Sequence, residues 1–179
     1  MDPTQVIRGD DGIFRCRQCG FSYDLDRVET AQRAADDFET FRTVVLESPE
    51  EIRGWRPAPE IWSINAYTAH MAEAANIIYE RVRNIAEQDR PVLEYYDEQE
   101  AVERGHYDDR PAVESLEPLR ESVEAFRRCL ESLAPDDWDR VGIHSRAGEV
   151  RLSEIAQDMP HELEHHAEDI TRIARERVS

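Results

Sequence analysis

The densest run of metal-ligating residues is PHELEHHAED, residues 160–169, with three histidines and four acidic side chains in ten positions. Imidazole and carboxylate groups spaced i,i+4 on a helix can reach one point beside it, so such a run can hold a divalent cation. Two pairs have that spacing, His161/His165 and Glu162/His166, and helix phase separates them. Leu152, Ile155, Met159, Leu163, Ile170 and Ile173 form an apolar stripe. With Leu163 at zero and about 100° per residue, the stripe centres near about −40°. His166 falls at about −60°, inside the stripe, and Glu162 at about −100°, on its flank. His161 and His165 fall at about +160° and about −160°, which predicts that both face solvent. Glu162/His166 is the pair expected to face the core.

A buried glutamate needs a compensating charge or hydrogen bond, and a cation that supplies it needs further ligands. His70, in INAYTAHMAEA, lies at the edge of the apolar stripe of the second predicted helix, where a side chain can reach between helices. Its alternative role is an isolated histidine hydrogen-bonded at the core margin. His70, Glu162 and His166 together offer two imidazoles and one carboxylate, which leaves zinc an open position. Ligand type also admits nickel, iron or manganese. The open position suits water activated for hydrolysis or a thiol held as thiolate. His106 and His144 fall in irregular segments, and surface positions are expected for both.

FRCRQCGFSYD places Cys16 and Cys19 in a C-x-x-C-G pattern with zinc-knuckle spacing. The third cysteine, Cys129, sits in a predicted helix and receives no role, so a four-thiolate site within this chain is excluded. Three readings stay open for the pair: a knuckle kept only for its tight turn, a site completed by histidine, carboxylate or a second subunit, or a redox dithiol.

The elements that must position these groups are helical. Residues 1–26 read as a non-helical extension, and residues 27–178 as a bundle. Val28, Ala31, Ala35, Phe38, Phe41 and Val45 recur at helical spacing, and Ser48–Pro49 ends that helix. Ser63 caps a second helix reaching about Gln88, through Ile64, Tyr67, Met71, Ala74, Ile78, Val82 and Ile85. A short helix is expected around Val92–Arg104, broken at Gly105, and a third long helix over about 112–133. GIHSRAGEV suggests a hairpin within 136–151, and a fourth long helix starts near Ser153 and runs to about Val178. Four long amphipathic helices without a strong strand run predict an all-α four-helix bundle.

Composition bounds the partners. Forty acidic residues against twenty-two basic ones, all arginine, give a formal charge of −18. Such a surface repels phosphates and anionic lipid, so neither nucleic acid nor membrane is an expected partner. The lysine-free acidic pattern is similar to that of proteins from salt-loving organisms, where salt screens the charge. No apolar run is long enough to span a membrane, and MDPTQVIRGDDG is too acidic and polar for a signal peptide. A soluble cytoplasmic protein is the expectation.

WSINAYTAHMAEA and the terminal HHAEDI, with the tryptophan-bearing GWRPAPEIWS before the second helix, resemble the DinB-like family of metal-binding four-helix bundles over roughly residues 27–178. The resemblance implies His70 as the ligand from the second helix and His166 as the final one, with Asp169–Ile170 at the family's Gln-Ile position. It puts Glu162 where many relatives have histidine, and the mycothiol-dependent maleylpyruvate isomerase branch is similar to this chain in having glutamate there. The N-terminal pair resembles half of a rubredoxin or zinc-ribbon site. The family resemblance implies a metal-dependent enzyme, a hydrolase or a thiol-dependent transferase or isomerase, acting on a small and possibly thiol-containing molecule. The alternative is a non-catalytic metal-binding or stress-related module. A homodimer through helix faces is compatible with either.

Overall fold

A computed structural model describes residues 6–178. The first five residues of the expected extension, and the part of the signal-peptide reading that rests on them, lie outside this range. The chain opens with a small antiparallel hairpin, β1 (Val6–Arg8) and β2 (Phe14–Cys16), in the register Val6↔Cys16. Asp26 then starts the first long helix, α1 (Arg27–Glu47), through a capping box. Its carboxylate accepts from the amides of Val28 and Glu29, and Glu29 Oε2 accepts from the Asp26 amide in return. Ser48, ahead of Pro49, ends α1 in extended backbone.

Ser63 caps α2 (Ile64–Glu87), its Oγ accepting from the Ala66 amide at 3.1 Å. The helix expected around Val92–Arg104 is shorter than the sequence pattern suggests. Val92–Leu93 instead forms β3, which pairs in parallel with β4 (Val141–His144), and β4 pairs antiparallel with β5 (Gly148–Arg151). The β-branched Val92 and the apolar Leu93 are used to close this small sheet over the end of α2. Only at Asp97, whose side chain accepts from Glu100 N, does α3 (Glu98–Gly105) begin. Its left-handed ending falls on His106 (φ 50°), not on Gly105. Gly105 is needed for another reason: a Cβ there would stand 2.1 Å from the Tyr107 ring.

α4 (Ala112–Ser132) and α5 (Leu152–Val178) complete the bundle, α5 following β5 without a loop. Around the bundle the neighbours run α1, α4, α2, α5 and back to α1, so α1 and α2, consecutive in the chain, stand on a diagonal. Phe41, Met71, Leu119, Phe126, Met159 and Leu163 meet in the centre with no exposed surface. The architecture is an all-α bundle preceded by short strands. Among the described residues, no helix is long and apolar enough to cross a membrane.

Candidate metal centre

Because α2 and α5 are neighbours, the apolar stripe of each faces the other. His70 rides on α2 and Glu162 and His166 on successive turns of α5. One ligand atom from each of the three lies within 4.8 Å of the others. The rings of His70 and His166 meet edge to face at 5.2 Å, and Glu162 Oε2 stands 3.3 Å from His166 Nε2. Trp62 packs on His70 at 5.0 Å, Tyr67 on His166 at 5.1 Å, and Tyr96 stacks over His70 at 6.2 Å. Among the described residues, neither ring nitrogen of His70 forms a hydrogen bond, nor does His166 Nε2, and all three atoms are buried. Leaving buried polar atoms unpaired is costly. A divalent ion placed among them would relieve that cost, so these residues fit a metal.

The electrostatics agree with that fit. Burial, helped by the neighbouring His166, pushes His70 down to about 3, which keeps it neutral and able to donate a lone pair. Burial would also lower His166, but the Asp169 and Glu162 carboxylates outweigh it and raise this group to about 9. Burial would raise Glu162, yet its contacts with His161 and His166 hold it well below the usual carboxylate range. The Glu162 and Asp169 carboxylates thus favour a positive charge on the α5 side of the cluster, while His70 stays neutral.

One residue acts through another. Asp169 Oδ2 lies 3.0 Å from His166 Nδ1 and takes that ring position, which leaves Nε2 for the centre. Asp169 is itself held by Arg172 at 2.5 Å and by Gln18 Nε2 at 2.9 Å. Sequence reasoning misses this orienting role, although the i,i+3 spacing from His166 is a signal that could have found it.

His161 and His165 do not face solvent as helix phase predicts: they are 5% and 7% exposed. The N-terminal segment covers that side of α5. Phe21 and Tyr23 lean on the His161 ring at 5.5 and 5.4 Å, and Cys16 Sγ comes to 3.6 Å from His165 Nδ1. Cys16, Cys19, His161 and His165 bring one ligand atom each within the same mutual 4.8 Å. Of the three readings of the cysteine pair, the coordinates bring it to histidines of the same chain. Elsewhere His106 is exposed, as expected. His144 is half-buried and accepts from the amides of Arg146 and Ala147, a turn-forming role. Cys129 is a half-buried free thiol outside both clusters.

The model of the DinB superfamily matches residues 33–170. The chain belongs to the DinB superfamily. Among solved structures, YfiT from Bacillus subtilis, described as a probable metal-dependent hydrolase with an unusual four-helix bundle topology, superposes with a TM-score of 0.77 at 18% identity. The match covers 85% of this chain and 87% of YfiT. The mycothiol-dependent maleylpyruvate isomerase is similar with a TM-score of 0.67 at 17% identity, over 83% of this chain and 62% of the isomerase. A histidine-to-alanine mutant of that isomerase gives a TM-score of 0.68 at 16% identity, with the same coverage of 83% and 62%. At these identities the likeness is one of fold. No curated protein matches the chain. The DinB superfamily bundle is the frame on which both clusters sit.

Proposed function

We propose that this DinB superfamily chain is a metal-dependent enzyme acting on a small molecule, with His70, Glu162 and His166 as the ligands of one divalent cation. The observation that carries the reading is the convergence of these three donors, with both nitrogens of His70 and Nε2 of His166 buried and without a formed hydrogen bond among the described residues. Two nitrogens and one carboxylate suit zinc best among the metals such a set accepts. The superfamily membership and the hydrolase description of YfiT point the same way.

A cation bound there would polarise a substrate oxygen or sulfur and favour its deprotonated form. The chain's own residues do the rest. Asp169 fixes the His166 tautomer and ring plane. Trp62, Tyr67 and Tyr96 wall off the imidazoles and exclude water from that side. A quarter of the Glu162 side chain remains exposed, so this side of the cluster is the one not walled off. Tyr96 keeps its ring stacked over His70 while its hydroxyl donates to Glu73 Oε2 at 3.1 Å. Hydrolysis and thiol-dependent transfer both suit three protein ligands with one position open. The structural likeness to the mycothiol-dependent isomerase supports the second.

His70 tests the reading because it belongs to this cluster alone. Metal analysis of dialysed wild type and His70→Ala should show one ion fewer per chain in the variant. Hydrolysis of small esters and amides, and thiol consumption in the presence of an electrophile, should be lost with it. Equal metal content in the two proteins would end the proposal.

A further inference from the structure

We propose that Cys16, Cys19, His161 and His165 form a second metal site, a closed tetrahedral zinc centre that fastens the N-terminal knuckle to α5. The four donors come from two regions that share no secondary structure, 149 residues apart between Cys16 and His165. The knuckle has the backbone such a site requires. Gly20 takes φ +78°, a left-handed turn open to glycine, and its amide donates to Cys16 O at 3.1 Å.

The histidine half is equally prepared. His161 and His165 stand one helical turn apart with ring centroids at 5.3 Å, and both nitrogens of His161 are buried without a formed hydrogen bond. Each histidine has a carboxylate on its far side. Glu162 Oε1 lies 3.3 Å from His161 Nδ1, and Asp169 Oδ2 lies 3.8 Å from His165 Nε2. Metal-bound histidines commonly turn their second nitrogen to such a group.

Two thiols and two imidazoles crowded together make a poor core when, as at His161, buried ring nitrogens form no hydrogen bond. On zinc the two thiols lose their protons to solvent, and the two thiolates cancel the charge of the ion. The site is then neutral, which suits its burial under Phe21 and Tyr23. Four protein ligands leave no position for substrate, so the role is structural.

Anchoring explains how the N-terminal segment holds its place. β1 and β2 have three residues each, and a hairpin of that size has little stability of its own. Beyond the cluster, the Leu25 amide donates to Gln157 Oε1 and Gln18 donates to Asp169, both at 2.9 Å. The knuckle therefore also positions Asp169, which orients His166.

Cobalt(II) titration of the metal-stripped, reduced full-length chain tests the proposal. A thiolate-to-cobalt charge-transfer band in the near ultraviolet, with intense tetrahedral bands in the visible, is expected. It should persist in Cys129→Ser and His70→Ala and vanish in Cys16→Ser/Cys19→Ser. Because that double variant could fail to fold, the metal-stripped wild type provides a second readout. Its segment before α1 should become open to protease and be protected again by zinc. No charge-transfer band in the wild type, or a band that survives loss of both cysteines, overturns the site. So does protease protection indifferent to zinc. A thiol pair that oxidises to a disulfide and binds no cobalt when reduced makes it a redox dithiol instead.

Discussion

Glu162 stands between two clusters on the same two turns of α5, with one oxygen 3.3 Å from His161 and the other 3.3 Å from His166. On one side are two thiols and two imidazoles, on the other two imidazoles and Glu162 itself. Four donors with two thiolates would saturate and neutralise a zinc ion. Three donors with one carboxylate would leave it a net positive charge and a free position. The same helix thus offers a closed site suited to holding chain segments together and an open one suited to chemistry. Donor count and donor charge make the difference, since burial is similar: His161, His165 and His166 are all nearly covered.

That contrast puts the largest expected effect on stability. Cys16→Ser/Cys19→Ser removes the anchor of the N-terminal segment, and loss of a metal belongs with the most destabilising lesions. The midpoint of thermal unfolding in the presence of zinc should fall by roughly 10 °C, given about 2–4 °C per kcal/mol for a chain of this size. His70→Ala in the same experiment should move it far less. Equal shifts in the two variants would erase the distinction between a structural and a catalytic cluster.

The next effect is on affinity at the open centre. His166→Ala takes away a ligand, and the metal bound there should weaken by about 100-fold or more, beyond the roughly 10–100-fold usual for outer partners. Competition with a chelator measures it, and the cobalt charge-transfer band of the other cluster should remain. Asp169→Asn is milder, because the amide oxygen can still accept from His166 Nδ1. About a 10-fold weakening is expected. Gln18 also loses its charged partner, so protease sensitivity of the N-terminal segment should rise slightly in the same variant. A change confined to one cluster would show that Asp169 does not link them.

The two clusters are not equally legible in the sequence. Helix phase picks out Glu162 and His166 because α5 carries a dense aliphatic stripe, and a stripe records which side faces the bundle. His70 follows from the same reasoning on α2. The phase of His161 and His165 says only that they lie off the bundle axis, and inferring solvent there goes a step too far. What covers them is Phe21, Tyr23 and the cysteine pair, aromatic and thiol groups from a segment with no periodicity to read. C-x-x-C-G announces half a site, and nothing local can name the other half. Val92–Leu93 reads as helix for a related reason, because its strand partner is β4, about fifty residues later.

The smallest effect is expected where neither cluster is touched, and it serves as the control for the rest. Asp108 secures the start of α2. It accepts from Arg56 at 2.7 Å and from Ser63 Oγ at 2.6 Å, while its carbonyl holds Asn65 at 3.0 Å. Burial would raise its carboxyl, but Arg56 and Ser63 outweigh that and hold it below the ordinary 3.8. The unfolded chain therefore takes the proton at higher pH than the folded one. The stability this gives is complete above the unfolded value and is lost as acid carries the pH down through the folded one. A third of the side chain is exposed, so solvent screens the ion pair, and Asp108→Asn should cost only about 1 kcal/mol near neutral pH. Below the folded value wild type and variant should converge, as denaturant titrations at several pH values would show. Metal content and the cobalt spectrum should not change. If they did, the order of α2 as a whole, and not the donor sets on α5, would govern both clusters.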